Sequence, residues 1–311
     1  MNRRDATKQI ADGAISAPTG GRKHSKSPPE APLADLRPGQ SVELLKELHI
    51  LTRDGRLNQD SRRKLKQVEH LVQFIEKILA ELTPHGEQLT LADHGAGKSY
   101  LGFILYDRWC APRGSGVVYG IETRPELVER SRALAERLGF ARMRFLNIAA
   151  ADAAHAAVLP ERIDIVTALH ACDTATDDAI AFGLAKKAQA MVLVPCCQAE
   201  LAAGLRQSKA LQLSRTPLAE LWRHPLHTRE MGSQLTNVLR CLYLESQGYS
   251  VTVTELVGWE HSLKNELIIA RHTGQKKRSA GERLGALLDQ FGLQALLPVR
   301  YPALVAAGDA L

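Results

Sequence analysis

Between Gln88 and Cys197 five short, largely apolar runs alternate with segments patterned as helices, and this alternation restricts the possible folds more than any other feature. The runs are "QLTLAD", "GVVYGIE", "RMRFLNI", "RIDIVTALH" and "AQAMVLVPCC". Runs that short and that apolar are strands covered on both faces. Strands separated by helices are joined by crossovers, so they lie parallel in one sheet. Helices are expected over Lys98–Trp109, after the second strand, over Thr174–Lys187 and over Ser233–Gln247. Thr123 and Glu126 have capping-box spacing, with Pro125 in the first turn and Gly139 just past the end. Two later runs, "YSVTVTELV" and "NELIIARH", are close enough to pair as an antiparallel hairpin. The predicted fold class is α/β, a mostly parallel seven-stranded sheet with an antiparallel last strand, plus N-terminal helices.

Outside this region the texture changes. Residues 1–40 are rich in Gly, Pro, Ser, Lys and Arg and cannot bury enough to offset chain entropy, so a disordered basic tail is expected. Residues 41–85 form a helical segment, with a short helix at Val42–Leu51 and a long one at Asp60–Leu82. Leu65, Val68, Leu71, Val72, Ile75 and Leu79 recur there at spacings of three and four. The opposite face carries Arg62, Arg63, Lys64, Lys66 and His70, a solvated face or a substrate-facing basic edge. The sheet domain spans 86–272, and 273–311 reads as a basic linker and helical tail. The chain has five cysteines, an odd number with Cys196 and Cys197 adjacent, which does not suit a secreted disulfide framework. The start is charged and lacks an apolar segment, and no run approaches the ~18 apolar residues of a membrane span. A cytoplasmic protein without a membrane partner is expected.

The residues Asp93-His94-Gly95-Ala96-Gly97-Lys98-Ser99-Tyr100 follow the first strand and precede a helix. Glycines there let the backbone turn sharply and approach a ligand closely, at the end of the sheet where doubly wound folds bind ligands. A P-loop reading matches Gly97-Lys98-Ser99 but lacks the first glycine, which is Ala92, and sets Asp93 against a phosphate. A dinucleotide reading puts Tyr100 where a third glycine should allow close packing. S-adenosylmethionine, which has no diphosphate, suits the acids better. Asp93 can hold the ammonium of its methionine moiety directly or through water. Glu122, ending the second strand, can accept the ribose hydroxyls. Asn147 or Asp152, near the end of the third strand, can meet the adenine amino group. Gly95, Ala96, Gly97 and Tyr100 complete the expected cofactor contacts.

The fourth strand ends in "LHACDTATD" and the fifth in "VPCCQ". With "DHGAGKSYL", these segments resemble the methyltransferase-like 25 family and, more distantly, eukaryotic tRNA 2'-O-methyltransferases with a similar H-x-C-G-x-A-T-D segment. The resemblance covers roughly Lys64 to Arg271. It implies a Rossmann-like methyltransferase in which His170, Cys172 and Asp173 wall the methyl-transfer pocket, His170 also touches the cofactor, and Cys196 and Cys197 lie beside it. Asp173 departs from the family pattern, which has glycine there. A general base is needed only if the acceptor must first lose a proton, and His170 or Asp173 can serve. Adjacent cysteines lack the usual two-residue ligand gap, so no metal is expected. His227 and Arg229, just before a helix, and His261, between the last two strands, join Lys66 and Cys196 as expected substrate contacts. The formal net charge of +6 and the resemblance favour RNA as the acceptor, with protein second and a small metabolite third. A non-catalytic module that has kept the cofactor pocket is the rival from another class.

Overall fold

The computed structural model describes residues 40–57, 59–149, 151–169, 171–195, 198–208, 217–256 and 266–306. All of these belong to one unit, Leu36–Leu311. In chain order the helices before the sheet are α1 (Val42–Glu47) and α2 (Gln59–Glu81). Then come β1 (Thr90–His94), α3 (Tyr100–Leu105), α4 (Ala111–Arg113), β2 (Val117–Glu122), α5 (Pro125–Arg137) and β3 (Met143–Asn147). They are followed by β4 (Ile165–Leu169), α6 (Ala175–Ala185), β5 (Ala190–Val194), α7 (Glu200–Ser208) and α8 (Pro225–Ser246). The hairpin strands β6 (Tyr249–Glu255) and β7 (Glu266–His272) precede α9 (Arg278–Gln290), α10 (Leu297–Arg300) and α11 (Pro302–Ala306).

The seven strands lie in the order β3-β2-β1-β4-β5-β7-β6. Neighbours from β3 to β5 are parallel, whereas β7 runs antiparallel to both β5 and β6. The order reverses between β1 and β4, so the crevice above their carboxyl ends is the place where such a sheet binds ligands. Side chains alternate between two cores. Along β5, Ala190, Val192 and Val194 join the core under α1, α2, α3 and α5, while Met191 and Leu193 join the one under α6, α8 and α9. Helices on both sides of the 86–272 segment bury into these cores: Leu44, Leu71 and Ile75 in the first, and Ala280, Leu284 and Leu304 in the second.

Three elements differ from expectation. The helix after β1 starts at Tyr100 because Gly97 and Ser99 both hold left-handed backbone angles, and Tyr106–Cys110 then widens into a π-turn. Thr123 does not cap α5; Arg124 holds the cap position, and the Thr123 hydroxyl lies against Glu122 instead. The long helix α8 begins at Pro225, eight residues before the expected Ser233, with proline in its first turn where the missing N–H costs nothing. Its Gly232 sits against α7, where an added Cβ would come within 2.8–2.9 Å of Ala202 backbone and side-chain atoms. Backbone cannot yield as a flexible side chain can. Gly232→Ala is therefore expected to destabilise the protein by about 1–3 kcal/mol in urea unfolding, by analogy with overpacked cores.

Candidate active site

The turn from β1 into α3 is built on positive φ angles at Gly95 (66°), Gly97 (58°) and Ser99 (51°). Glycine meets that demand freely. Ser99 is held there by its buried hydroxyl, which donates to Asp93 Oδ2 at 3.1 Å. Asp93 Oδ1 accepts from Thr167 Oγ1 on β4 at 3.0 Å. The Gly102 N–H in the first turn of α3 also bonds this carboxylate. Gly102 is required for this: a Cβ there would stand 2.5 Å from Ser99 Oγ. Asp93 is only 2% exposed. Burial pushes its carboxyl up to about 6, and the bonds from Thr167, Ser99 and Gly102 only partly oppose that rise.

Glu122 ends β2 on the far side of the same turn. Its Oε2 accepts from the Gly97 N–H at 2.7 Å, and its Oε1 accepts from the Arg124 N–H and Nε, both at 3.0 Å. Burial alone would raise its pKa, but the bonds from Arg124 and Gly97 prevail and hold it at about 2. The carboxylate is thus ionised across the whole physiological range. It borders a cleft of about 320 Å³ whose polar edge includes Thr123 and Arg124 and whose walls are Ile121, Ile148, Ala171 and Ala175. Gly95 forms the floor; a Cβ on it would touch the Ala171 side chain at 3.8 Å.

This donor set fits an adenosine whose ribose meets a carboxylate and whose base meets apolar walls. It does not fit a nucleoside triphosphate. Ser99, the P-loop candidate for a metal-bound hydroxyl, is fully buried and donates to Asp93. Lys98 does not border this cleft but a neighbouring one.

Beyond β4, Ala171 and the exposed Cys172 line the cleft. Asp173 turns away from it. Its φ is 50°, the left-handed conformation for which glycine is the easy choice, and Asp is among the few other residues that tolerate it. The Asp173 carboxylate is engaged in holding α7: Oδ1 accepts from the N–H groups of Ala199 and Glu200 at 2.9 and 3.2 Å. Those donors have no partner within the helix, so Asp173 behaves as a cap rather than as a base facing the cleft.

The Asp173 carbonyl accepts from Arg240 Nη2 at 2.7 Å. Arg240, 1% exposed on α8, also donates to both carboxylate oxygens of Asp177 at 2.9 and 2.6 Å and to Asn237 Oδ1 at 3.1 Å. Asn237 donates in turn to Glu266 on β7 at 2.7 Å, and Ser233 donates to Gln198 after β5 at 2.6 Å. One buried guanidinium therefore ties the loop after β4 to α8, and its neighbours extend the tie to the loop after β5 and to β7.

The other expected residues are distributed around this frame. Gly95 borders the cleft, and Gly97 and Ala96 shape its rim; the Ala96 N–H bonds Ile121 O at 2.9 Å. Asn147 donates its side chain to the carbonyls of Glu122 and Thr123 at 3.1 and 2.8 Å, strapping the tip of β2 instead of presenting itself to a base. Asp152 is exposed and outside the cleft lining, as a turn and a short 3₁₀ segment carry it past the tip of β3. Tyr100 borders the neighbouring cleft because the left-handed step at Ser99 turns the chain before it. Lys66 is on the exposed side of α2, and His227 and Arg229 are exposed in the first turns of α8; none borders the cleft. The last two were expected just before a helix, and the early start of α8 places them inside it. His170, Cys196 and His261 lie outside the described residues. Arg124, Ile148, Thr167 and Arg240 were not anticipated. Only Arg124, two residues after a strand-end acid, left a signal in the sequence. Among the described residues no group of three or more His, Cys, Asp or Glu is placed to hold a metal ion, and no helix is long and apolar enough to cross a membrane.

Residues 63–204 match the model of a family described as a methyltransferase domain. No curated protein matches the sequence. Among solved structures the chain is similar to an rRNA methylase from Streptococcus thermophilus (12% identity, 65% of this chain and 95% of that one, TM-score 0.38). It is also similar to magnesium protoporphyrin IX methyltransferase from Synechocystis PCC 6803 with bound SAH (13% identity, 74% and 93% covered, TM-score 0.41). A third is M. capricolum TrmK in complex with S-adenosyl-homocysteine (11% identity, 70% and 82% covered, TM-score 0.37). The sheet order, with its antiparallel β7, is that of the Rossmann-like class I methyltransferases. The acid-edged cleft at the reversal point lies within the matched methyltransferase domain, so the chain combines a methyltransferase-type sheet with a cleft suited to an adenosine.

The buried charges make two measurable demands on stability. Arg240→Met leaves Asp177 without its partner and should cost about 3–5 kcal/mol in urea unfolding, most of it regained when Asp177→Leu is added. Asp93 titrates near 6 in the folded protein against 3.8 ordinarily, so the native state holds a proton that the unfolded chain has lost between those values. Its contribution to stability is therefore full below about pH 4 and lost as pH rises through about 6. Asp93→Asn removes that slope, and the melting temperature of the variant relative to the parent should improve between about pH 5 and pH 8.

Proposed function

We propose that this chain is an S-adenosylmethionine-dependent methyltransferase that acts on RNA, and that its cofactor is held by the two carboxylates at the tips of β1 and β2. The observation that carries the cofactor reading is Glu122. It is an ionised, nearly buried acid at a glycine turn, beside apolar walls, and the one lysine of that turn borders a different cleft. Its Arg124 partner is 59% exposed, so that ion pair is weak and the carboxylate can exchange it for ribose hydroxyls at small cost. Both oxygens of Asp93 are already bonded within the protein, so its effect on the methionine ammonium passes through the turn it shapes or through water. When bound, the cofactor supplies an electrophilic methyl on a sulfonium with a good leaving group. What remains for the protein is alignment of the acceptor. Cys172 stands at the mouth of the cleft on the loop after β4, the loop that Arg240 fixes.

RNA is favoured by the formal charge of +6 and by the resemblance of "HACDTATD" to the corresponding segment of tRNA 2'-O-methyltransferases. The same segment and "VPCC" support placing the enzyme beside the methyltransferase-like 25 group. Calorimetry with S-adenosylmethionine tests the cofactor reading: Glu122→Ala should weaken affinity by about 10–100-fold, the worth of hydrogen bonds to a charged group. Unchanged affinity in a folded variant would sink it. Incubation with tritiated-methyl cofactor and fractionated cell extract tests the acceptor. Label in the RNA fraction is expected, and label in protein alone would overturn the RNA reading. Cofactor binding with no transfer to any fraction would favour a non-catalytic module.

A further inference from the structure

A second cleft, of about 290 Å³, lies against the cofactor turn, between the end of α1 and the exposed face of α5. Lys98, the residue after Gly97, stands at its edge. Arg130 and Arg137 border it from α5, seven residues apart and so on one helix face. The acid in its lining is Glu47, which is paired with Arg137 at 3.1 Å. Among the described residues, Lys98 and Arg130 have no acidic partner within ion-pair distance. The cleft is floored by Leu48 and Leu134 and by the half-buried ring of Tyr100. Glu47 and His49 also border an adjoining hollow of about 530 Å³ that adds Lys46 and Arg53. Along the described walls, Lys46, Arg53, Lys98, Arg130, Arg137 and His49 thus face a single acid that is already neutralised.

We propose that this trough binds a single-stranded stretch of the RNA substrate, with one nucleotide base against Tyr100 and its flanking phosphates on Lys98 and Arg130. Uncompensated cations that follow a groove, with an aromatic face in the groove, are the pattern by which single strands are held. The hollow beside Tyr100 holds about 290 Å³, room for a nucleotide rather than a duplex, and its cations come from separate elements, Lys98 from the cofactor turn and Arg130 and Arg137 from α5. The turn Gly95–Lys98 is the wall between trough and cofactor cleft, so a strand lying in the trough passes directly beside the methyl donor's site. The proposal rests on the RNA reading above and adds to it the surface that positions the strand.

Binding of a fluorescein-labelled, mixed-sequence single-stranded RNA of about twelve nucleotides to the full chain, followed by anisotropy at several salt concentrations, tests it. The double variant Lys98→Glu/Arg130→Glu should lower affinity by at least about tenfold and reduce the slope of log affinity on log salt by about 2, one for each phosphate no longer neutralised. Tyr100→Leu should lower affinity by about tenfold and leave that slope unchanged, because stacking releases no counterions. Arg130 is exposed on α5 and outside the cofactor turn, so Arg130→Glu alone should keep the parental melting temperature and calorimetric affinity for S-adenosylmethionine while reducing the salt slope by about 1. An Ala/Ala double variant with half the effect serves if the Glu/Glu protein unfolds. Tight RNA binding by the parent with the same affinity and slope in the variants overturns the trough while leaving the RNA reading intact. No RNA binding by a parent that still binds the cofactor overturns the RNA reading, and the trough with it.

Discussion

The carboxylate of Asp93 is the point on which the cofactor side of the molecule depends. It sits on β1 in register with Thr167 of β4 and Gly120 of β2, at the place where the sheet order reverses. Through Thr167 it grips β4, through Ser99 it holds a left-handed residue in the turn, and through the Gly102 N–H it steadies the start of α3. A buried acid is costly unless bonded, and here the bonds are the structure of the turn itself. Glu122 completes the arrangement from β2 by accepting the Gly97 N–H. The two acids thus have different work: one shapes the turn from beneath, and the other faces the cleft.

Across the reversal point a second buried charge organises the acceptor side. Arg240 directs its donors to Asp177, to the Asp173 carbonyl and to Asn237. The loops after β4 and β5 would otherwise be two independent surface connections. Capping of α7 by Asp173 joins them, and Arg240 locks the junction to the long helix α8. Ion pairs as buried as this one add little net stability over an apolar substitute, but they are intolerant of losing one partner. Their effect is to fix one arrangement of loops where alignment matters.

Much of the fold was legible in the sequence. Five apolar runs separated by helical patterns, then a hairpin, specified the seven strands and the polarity of the last. The turn "DHGAGKSY" and the acid at Glu122 were legible too, because backbone demands and strand ends leave local marks. The misreadings have a common cause. Asn147 was read as facing a ligand from its place near a strand end, and Asp173 from the family resemblance, and neither source shows which backbone groups lie nearby. Each instead satisfies backbone groups made neighbours by folding, the carbonyls at the tip of β2 and the first N–H groups of α7. The unexpected start of α8 has a similar origin. "PLHTREMG" is weakly patterned, and it is helical because Thr228 and Gly232 pack inward against the rest of the domain.

The sequence by itself determined the order and type of the elements, the glycine turn and the acid that ends β2, since each depends on residues within a few positions of one another. Tertiary structure alone decided where side chains distant in sequence meet. Thr167 reaches Asp93 across 74 residues, Arg240 reaches Asp177 across 63, and Tyr100 and Lys98 open toward α1 and α5 rather than toward the cofactor cleft. The reason is physical. A hydrogen bond or ion pair leaves no periodic trace along the chain, so its partners become known only when the sheet has set their register.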